Sequence, residues 1–227
     1  MKRIKILDCG PSLQDVSIQF GQSPEWIMNN LKNFDCEFEW IKIYSDQKME
    51  NLSGDAWIIT GSPRSVYEEE EWMLDLEEKI RDAGENNFPI LGICFGHQII
   101  AKSFGGVVEL NPLGWELGSY PIYLTDDGSC SPLFKNIPVK TLVYESHRDY
   151  VSSLPDNAVQ LAFNDKCIQA FQIFESIFSV QFHPEFSLDI MKKYISIRSA
   201  SGAKVDDPSV PESTQSFLVL QNFIDII

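Results

Sequence analysis

A cysteine with a glycine two positions away on either side, Gly92-Ile93-Cys94-Phe95-Gly96, stands between the apolar run Phe88-Pro89-Ile90-Leu91 and the helix-compatible stretch 97–102. Few patterns restrict the surrounding fold so tightly. A strand that turns sharply into a helix at one residue leaves no room for a Cβ at the flanks and holds the residue at the tip in a strained conformation. The tip side chain is lifted clear of the sheet. It meets the N-terminus of the following helix, where free N–H groups and the positive end of the macrodipole favour a thiolate and can receive a developing oxyanion. Read alone, the pattern fits equally well a buried cysteine closing a glycine-rich strand.

A second motif separates the two readings. The segment 176–182 reads as a strand and ends in His183-Pro184-Glu185-Phe186. Alternate residues of an extended segment share a face, so His183 and Glu185 project together, with Pro184 tolerated at the strand end. An imidazole oriented by a carboxylate can take a thiol proton and return it to a leaving amine.

Strand and helix signals alternate along the first half: strand 4–8, a helix capped by Ser23 with Pro24 at N1, strands 37–43 and 56–60, helix 69–83, strand 89–93 and helix 95–104. That order predicts an α/β fold with a doubly wound, mostly parallel sheet covered by helices on both faces. Thr60-Gly61 and Cys94 then both fall at carboxyl ends of strands, where such sheets bind ligands. Strand-like segments at 119–124, 141–145, 158–163, 167–173 and 176–182, separated by turn clusters such as 126–129 and 164–166, predict antiparallel ribbons attached to that core. Gly105-Gly106 reads as a helix terminus. Helix 188–197 with Ser187 as cap, a surface loop over 201–214 and a last apolar helix from Gln215 to Ile226 complete a single domain over 1–227.

The stretches Leu91-Gly92-Ile93-Cys94-Phe95-Gly96-His97-Gln98 and Gln181-Phe182-His183-Pro184-Glu185-Phe186 resemble the signatures of the class I, or triad, glutamine amidotransferases. Thr60-Gly61-Ser62-Pro63, Gly114-Trp115-Glu116-Leu117-Gly118 and Ser146-His147-Arg148-Asp149 extend the resemblance over most of the chain, and it is strongest to the glutaminase domain of GMP synthase and free-standing proteins like it. The resemblance implies a flavodoxin-like sheet and a triad of Cys94, His183 and Glu185, with an oxyanion hole from the N–H groups of Gly61 and Phe95. It also implies that Gln98, Ser146, Arg148 and Asp149 hold the α-amino and α-carboxylate ends of glutamine. Many relatives have glycine where this chain has Arg148; a long cation there would narrow the pocket or select another γ-glutamyl substrate. His147 is the rival base, but the resemblance gives its neighbourhood to substrate binding. Trp115 and Glu116 fit either recognition or packing.

Composition narrows the class of function further. With 18 basic against 33 acidic residues, a net charge of −15 argues against a nucleic-acid or anionic-membrane partner. The run Glu68-Glu69-Glu70-Glu71 and the acids from Asp75 to Asp82 read as a solvated helix face, with Trp72, Leu74, Leu76 and Ile80 on the buried side. Five separated cysteines without a C-x-x-C pair, no leader-like N-terminus and no long apolar stretch predict a reducing, cytoplasmic setting. No metal is expected: Cys94 and His97 have a metal-like spacing, but a structural zinc takes four ligands and the other histidines belong to other motifs. No organic cofactor is expected either. Without a P-loop signature, ammonia would pass to a separate synthase subunit, or the task is hydrolysis of another γ-glutamyl compound such as a peptide. A catalytically silent regulatory member of the fold is the remaining alternative.

Overall fold

The computed structural model describes residues 1–45, 49, 52–204, 210–212 and 215–227. In the first half β1 (Lys2–Asp8), α1 (Gln14–Phe20), α2 (Ser23–Asn30), β2 (Cys36–Lys42), β3 (Ala56–Ile59), α3 (Glu71–Glu85), β4 (Ile90–Ile93) and α4 (Phe95–Ser103) follow one another. The second half holds β5 (Val107–Leu110), β6 (Glu116–Leu124), the short α5 (Asp126–Cys130), β7 (Lys140–His147), β8 (Asp149–Ser153), β9 (Ala158–Phe163) and β10 (Ile168–Ile173). The chain continues through β11 (Ile177–Val180), α6 (Leu188–Ala200) and α7 (Leu218–Ile226).

Nine strands form one sheet in the order β2-β1-β3-β4-β11-β10-β9-β6-β7, and β5 pairs with β8 in a separate ribbon. The first five are parallel, in the doubly wound order expected of a flavodoxin-like core, with β11 as its fifth strand. The remaining four run antiparallel to their neighbours. Side chains alternate between two cores. Ile4, Ile6, Ile58, Leu91 and Ile93 pack on one face with α2 and α7, whereas Leu7, Ile59 and Ile90 pack on the other with α3 and α4. Buried on both sides, β3 and β4 are apolar throughout apart from Gly92, as central parallel strands require.

Several expectations need correction. The expected antiparallel strands are present, β6, β7, β9 and β10 continuing the main sheet and β5 pairing with β8, but the 176–182 segment is not one of them alone: as β11 it also pairs in parallel with β4 from Ile177↔Ile90 to Val180↔Ile93. Leu74 is exposed. The buried stripe of α3 is Met73, Leu76, Glu77, Ile80 and Ala83, and Glu77, expected in solvent, is paired with Lys102 at 2.9 Å. The helical turn begins at Ser23 rather than after it, because Gln22 is the cap and its N–H donates to the Glu25 carboxylate at 2.7 Å. The 126–129 cluster closes into α5, its Thr125 hydroxyl accepting the Gly128 N–H at 2.9 Å. The last helix starts at Leu218, not Gln215, and residues 205–209, 213 and 214 of the expected surface loop lie outside the described residues. Ser187 caps α6 as expected, accepting from the Ile190 N–H at 3.3 Å. Among the described residues no helix is long and apolar enough to cross a membrane.

Candidate active site

Cys94 occupies the turn between β4 and α4 with φ 53° and ψ −101°, a conformation that a residue with a Cβ adopts only under constraint. Two features constrain it. Its N–H donates to the Val180 carbonyl of β11 at 2.9 Å, and its carbonyl accepts from the Gln98 N–H at 3.1 Å. The flanking glycines allow the close approach: a Cβ on Gly92 would meet the Gly96 carbonyl oxygen at 2.5 Å, and one on Gly96 would meet the Ile59 oxygen at 2.4 Å. The N–H of Phe95 heads the first turn of α4, where helix donors have no intrahelical partner.

His183 follows β11, the strand beside β4, so base and sulfur come from neighbouring strand ends. Its Nδ1 bonds Glu185 Oε1 at 2.9 Å, which leaves Nε2 as the ring nitrogen open to the Cys94 sulfur across the shared cleft. Residues 181–185 form bends and a turn rather than a strand, so the His183–Glu185 contact is made by a tight turn, not by the i, i+2 register of an extended chain. Burial alone would push the His183 pKa down. The Glu185 and Cys94 charges and hydrogen bonds outweigh it and raise the pKa to about 10. Phe186 stacks on the imidazole with centroids 4.0 Å apart, and Tyr194 stacks on Phe186 at 4.9 Å. Ser23, the expected helix cap, donates its hydroxyl to Glu185 Oε1 at 3.3 Å. Gly61, just beyond β3, lies against both partners: an added Cβ would be 3.2 Å from His183 Cε1 and 3.6 Å from Cys94 Cβ.

His147 is committed elsewhere. Its Nδ1 donates to the Asp149 carbonyl at 2.9 Å, and Nε2 faces Glu116 at 3.1 Å and Glu145 at 3.2 Å. Cys167 joins this buried cluster, its thiol 3.3 Å from Glu116, so Glu116 serves the interior while Trp115 faces the site. His97 is also internal, bonded to Ser179 Oγ at 2.9 Å, and burial followed by the charge of His147 lowers its pKa to about 3.

Two clefts meet at Cys94. One is lined by Ser65, Gln98, Trp115, Ser146, Arg148 and Asp149, which brings all four expected substrate residues to one side of the sulfur. Within it Gln98 Nε2 donates to the Asp149 carbonyl at 2.9 Å and to Gln181 Oε1 at 3.1 Å, while the Asp149 carboxylate accepts from the Ser65 hydroxyl and, at 3.1 Å, from Tyr67. Ser146 Oγ is buried without a partner. Arg148 is exposed, its guanidinium 6.0 Å from the Trp115 ring. The other cleft, on the His183 side, is walled by Pro11, Leu13, Trp26, Phe186 and Tyr194. Arg198, which no sequence motif singles out, lines both.

Residues 16–199 match the family described as glutamine amidotransferase class-I. GMP synthase [glutamine-hydrolyzing] of Borreliella burgdorferi strain N40 is 34% identical over 186 residues, 78% of this chain but 35% of that protein. Gamma-glutamyl peptidase 4 of Arabidopsis thaliana is 28% identical over 179 residues, 78% of this chain and 68% of that one. The chain thus spans about a third of the length of the GMP synthases it matches. Among solved structures, a glutamine amidotransferase from Thermotoga maritima superposes with a TM-score of 0.76 at 21% identity over 99% of this chain and 96% of that one. With the family match covering most of its length and the fold shared, the chain belongs to the class-I glutamine amidotransferases.

Proposed function

We propose that the chain is a cysteine-dependent amidohydrolase that cleaves the γ-amide of glutamine through a Cys94-His183-Glu185 triad. What carries the reading is the line from the Glu185 carboxylate through the His183 imidazole to the Cys94 side chain at the head of α4. The sulfur adds to the γ-carbonyl carbon, and the Gly61 and Phe95 N–H groups receive the oxyanion. The C–N bond breaks as His183 delivers its proton to the departing nitrogen. A γ-glutamyl thioester remains on Cys94. Water then gives a proton to the same imidazole, adds to the thioester and releases glutamate, returning the thiol. Gln98, Ser146, Arg148 and Asp149 hold the α-amino and α-carboxylate ends. No metal or organic cofactor takes part, and the ammonia goes to a separate synthase subunit in the cytoplasm.

The cleft on the far side of Cys94 favours a second reading. A leaving group as small as ammonia needs no walls, yet Pro11, Leu13 and Trp26 build one beyond the scissile bond. A γ-glutamyl peptide would place its amine-side residue there. A turnover screen with glutamine and γ-glutamyl peptides tests both, with mass measurement of the acyl-enzyme. A γ-glutamyl adduct on Cys94 is expected; turnover that persists in Cys94→Ala would sink the mechanism.

A further inference from the structure

Arg198 stands in the last turn of α6 with its guanidinium 4.9 Å from the centroid of the Trp115 ring, the same indole that Arg148 approaches at 6.0 Å. Two like charges share one aromatic ring, and among the described residues neither forms an ion pair with a carboxylate. Nε of Arg198 is buried without a hydrogen-bond partner. In a chain with 33 acidic and 18 basic residues, a cation beside Cys94 that has no carboxylate partner among the described residues is an arrangement that acidic neighbours could readily have neutralised. The two arginines also differ in place. Arg148 lines only the cleft holding Gln98, Ser146 and Asp149, whereas Arg198 reaches the cleft on the His183 side and, among the described residues, is the only arginine or lysine there.

We infer that Arg198 binds a carboxylate on the leaving-group side of the scissile amide, so that the preferred substrate is a γ-glutamyl amino acid rather than glutamine. The inference rests on the γ-glutamyl hydrolase reading above and adds the chemistry of the departing half. In a γ-glutamyl amino acid that carboxylate lies two bonds from the scissile nitrogen. The group that reads it must therefore reach the cleft from which the amine departs, and Arg198 lines that cleft as well as the one that Trp115 faces. A guanidinium offers a planar fork matched to a carboxylate, and its stacking on Trp115 orders it before the substrate arrives. The apolar walls from Pro11, Leu13 and Trp26 then face the side chain of the departing residue. The reaction balances as acyl transfer: the γ-glutamyl group moves to sulfur, His183 protonates the amino acid that leaves, and water returns the thiol and yields glutamate.

The test compares kcat/KM of the full chain and of Arg198→Gln and Arg198→Lys for three compounds: γ-glutamylglycine, its uncharged γ-glutamylglycinamide counterpart, and glutamine. Melting temperatures confirm that the variants fold. The wild-type protein should prefer the acid to the glycinamide by roughly 10- to 100-fold, the range of a charge-assisted hydrogen bond to a carboxylate. Arg198→Gln should collapse that preference, and Arg198→Lys should restore part of it. Equal wild-type rates on acid and glycinamide, or an Arg198→Gln loss that falls alike on all three compounds, would overturn the inference while leaving γ-glutamyl hydrolysis standing. Turnover of none of the three by the wild-type protein would overturn both.

Discussion

Replacing Gly96 with alanine puts the elbow itself under load. The added Cβ would lie 2.4 Å from the Ile59 carbonyl oxygen and 3.1 Å from its carbonyl carbon, both backbone atoms at the carboxyl end of the central strand β3. Neither can rotate away. Restoring an ordinary contact moves the start of α4 about 1 Å from β3. Overpacking of this kind costs about 1–3 kcal/mol, and the helical advantage of alanine over glycine offsets about 0.5–1 kcal/mol of it. A net loss of about 1–2 kcal/mol corresponds to a melting temperature lower by about 2–8 °C in a chain of this size. Activity should suffer more than stability, because the displaced turn carries both Cys94 and the Phe95 N–H. A misplacement of about 1 Å at reacting atoms costs on the order of 10²-fold in rate. The assay is kcat/KM on the best γ-glutamyl substrate beside a thermal melt. Gly96→Ala within about threefold of wild-type kcat/KM would refute the argument that this glycine sets the position of the sulfur.

Cys94→Ala should abolish turnover while the melting transition persists, whereas Cys36→Ser and Cys130→Ser should keep near-normal rates; activity retained in Cys94→Ala would remove the nucleophile. Glu185→Gln should impair single-turnover acylation less than His183→Ala, since the acid orients the imidazole without transferring the proton; a reversed order would point to another base. The pKa of His183 is raised to about 10, so its imidazolium, which protonates the leaving amine, persists until the pH rises through about 10. The alkaline limb of kcat/KM should thus lie near that value and move to lower pH in Glu185→Gln; an unmoved limb would deny the coupling. By the same sign, the stability this pair contributes is complete below the ordinary histidine value of about 6.5 and is lost as the pH rises through the folded one. A diazoketone analogue of glutamine should label one cysteine, and peptide mapping that found the label mainly on Cys36 or Cys130 would count against the elbow.

The parallel half of the fold could be read from sequence because its signals are local: each strand is an uninterrupted apolar run, and the strand–Cys94–helix turn announces itself through two glycines. The direction of β11 could not. Its parallel partner β4 lies far back in the chain, and an apolar four-residue strand looks the same whichever way its neighbours run. Ser23 misled for a chemical reason, since a hydroxyl before Pro24 suits a helix cap and suits Glu185 equally well. Leu74 is a hydrophobic residue a single step out of phase with the Met73–Leu76–Ile80 stripe of α3. Arg198 was hidden by its place in a helix. A cation in a last turn complements the macrodipole and asks for no further explanation until Trp115 and the clefts come into view. The Gly61, Cys94 and His183–Glu185 motifs stand out in the sequence because each is a short run of its own, whereas the walls beyond the sulfur come from separate segments that only the fold brings together.

Because β4 and β11 are adjacent and in register, with the Cys94 N–H bonded to Val180, the two turns that carry sulfur and imidazole start from strand ends about 4.8 Å apart, and the His183 N–H is held in turn by the Tyr144 carbonyl of β7 at 2.8 Å. Local openings of the surface can come and go without parting the ends of β4 and β11. The Cys94 amide should consequently exchange with solvent only in the slowest class, together with the central strands. Such an arrangement divides the molecule into a frame tied together by strand pairing and a rim assembled from separate segments. Substitutions around residues 11–13 and in α6, which line the cleft on the His183 side, should change which compounds that cleft accepts while the spacing of Cys94 and His183 stays as it is.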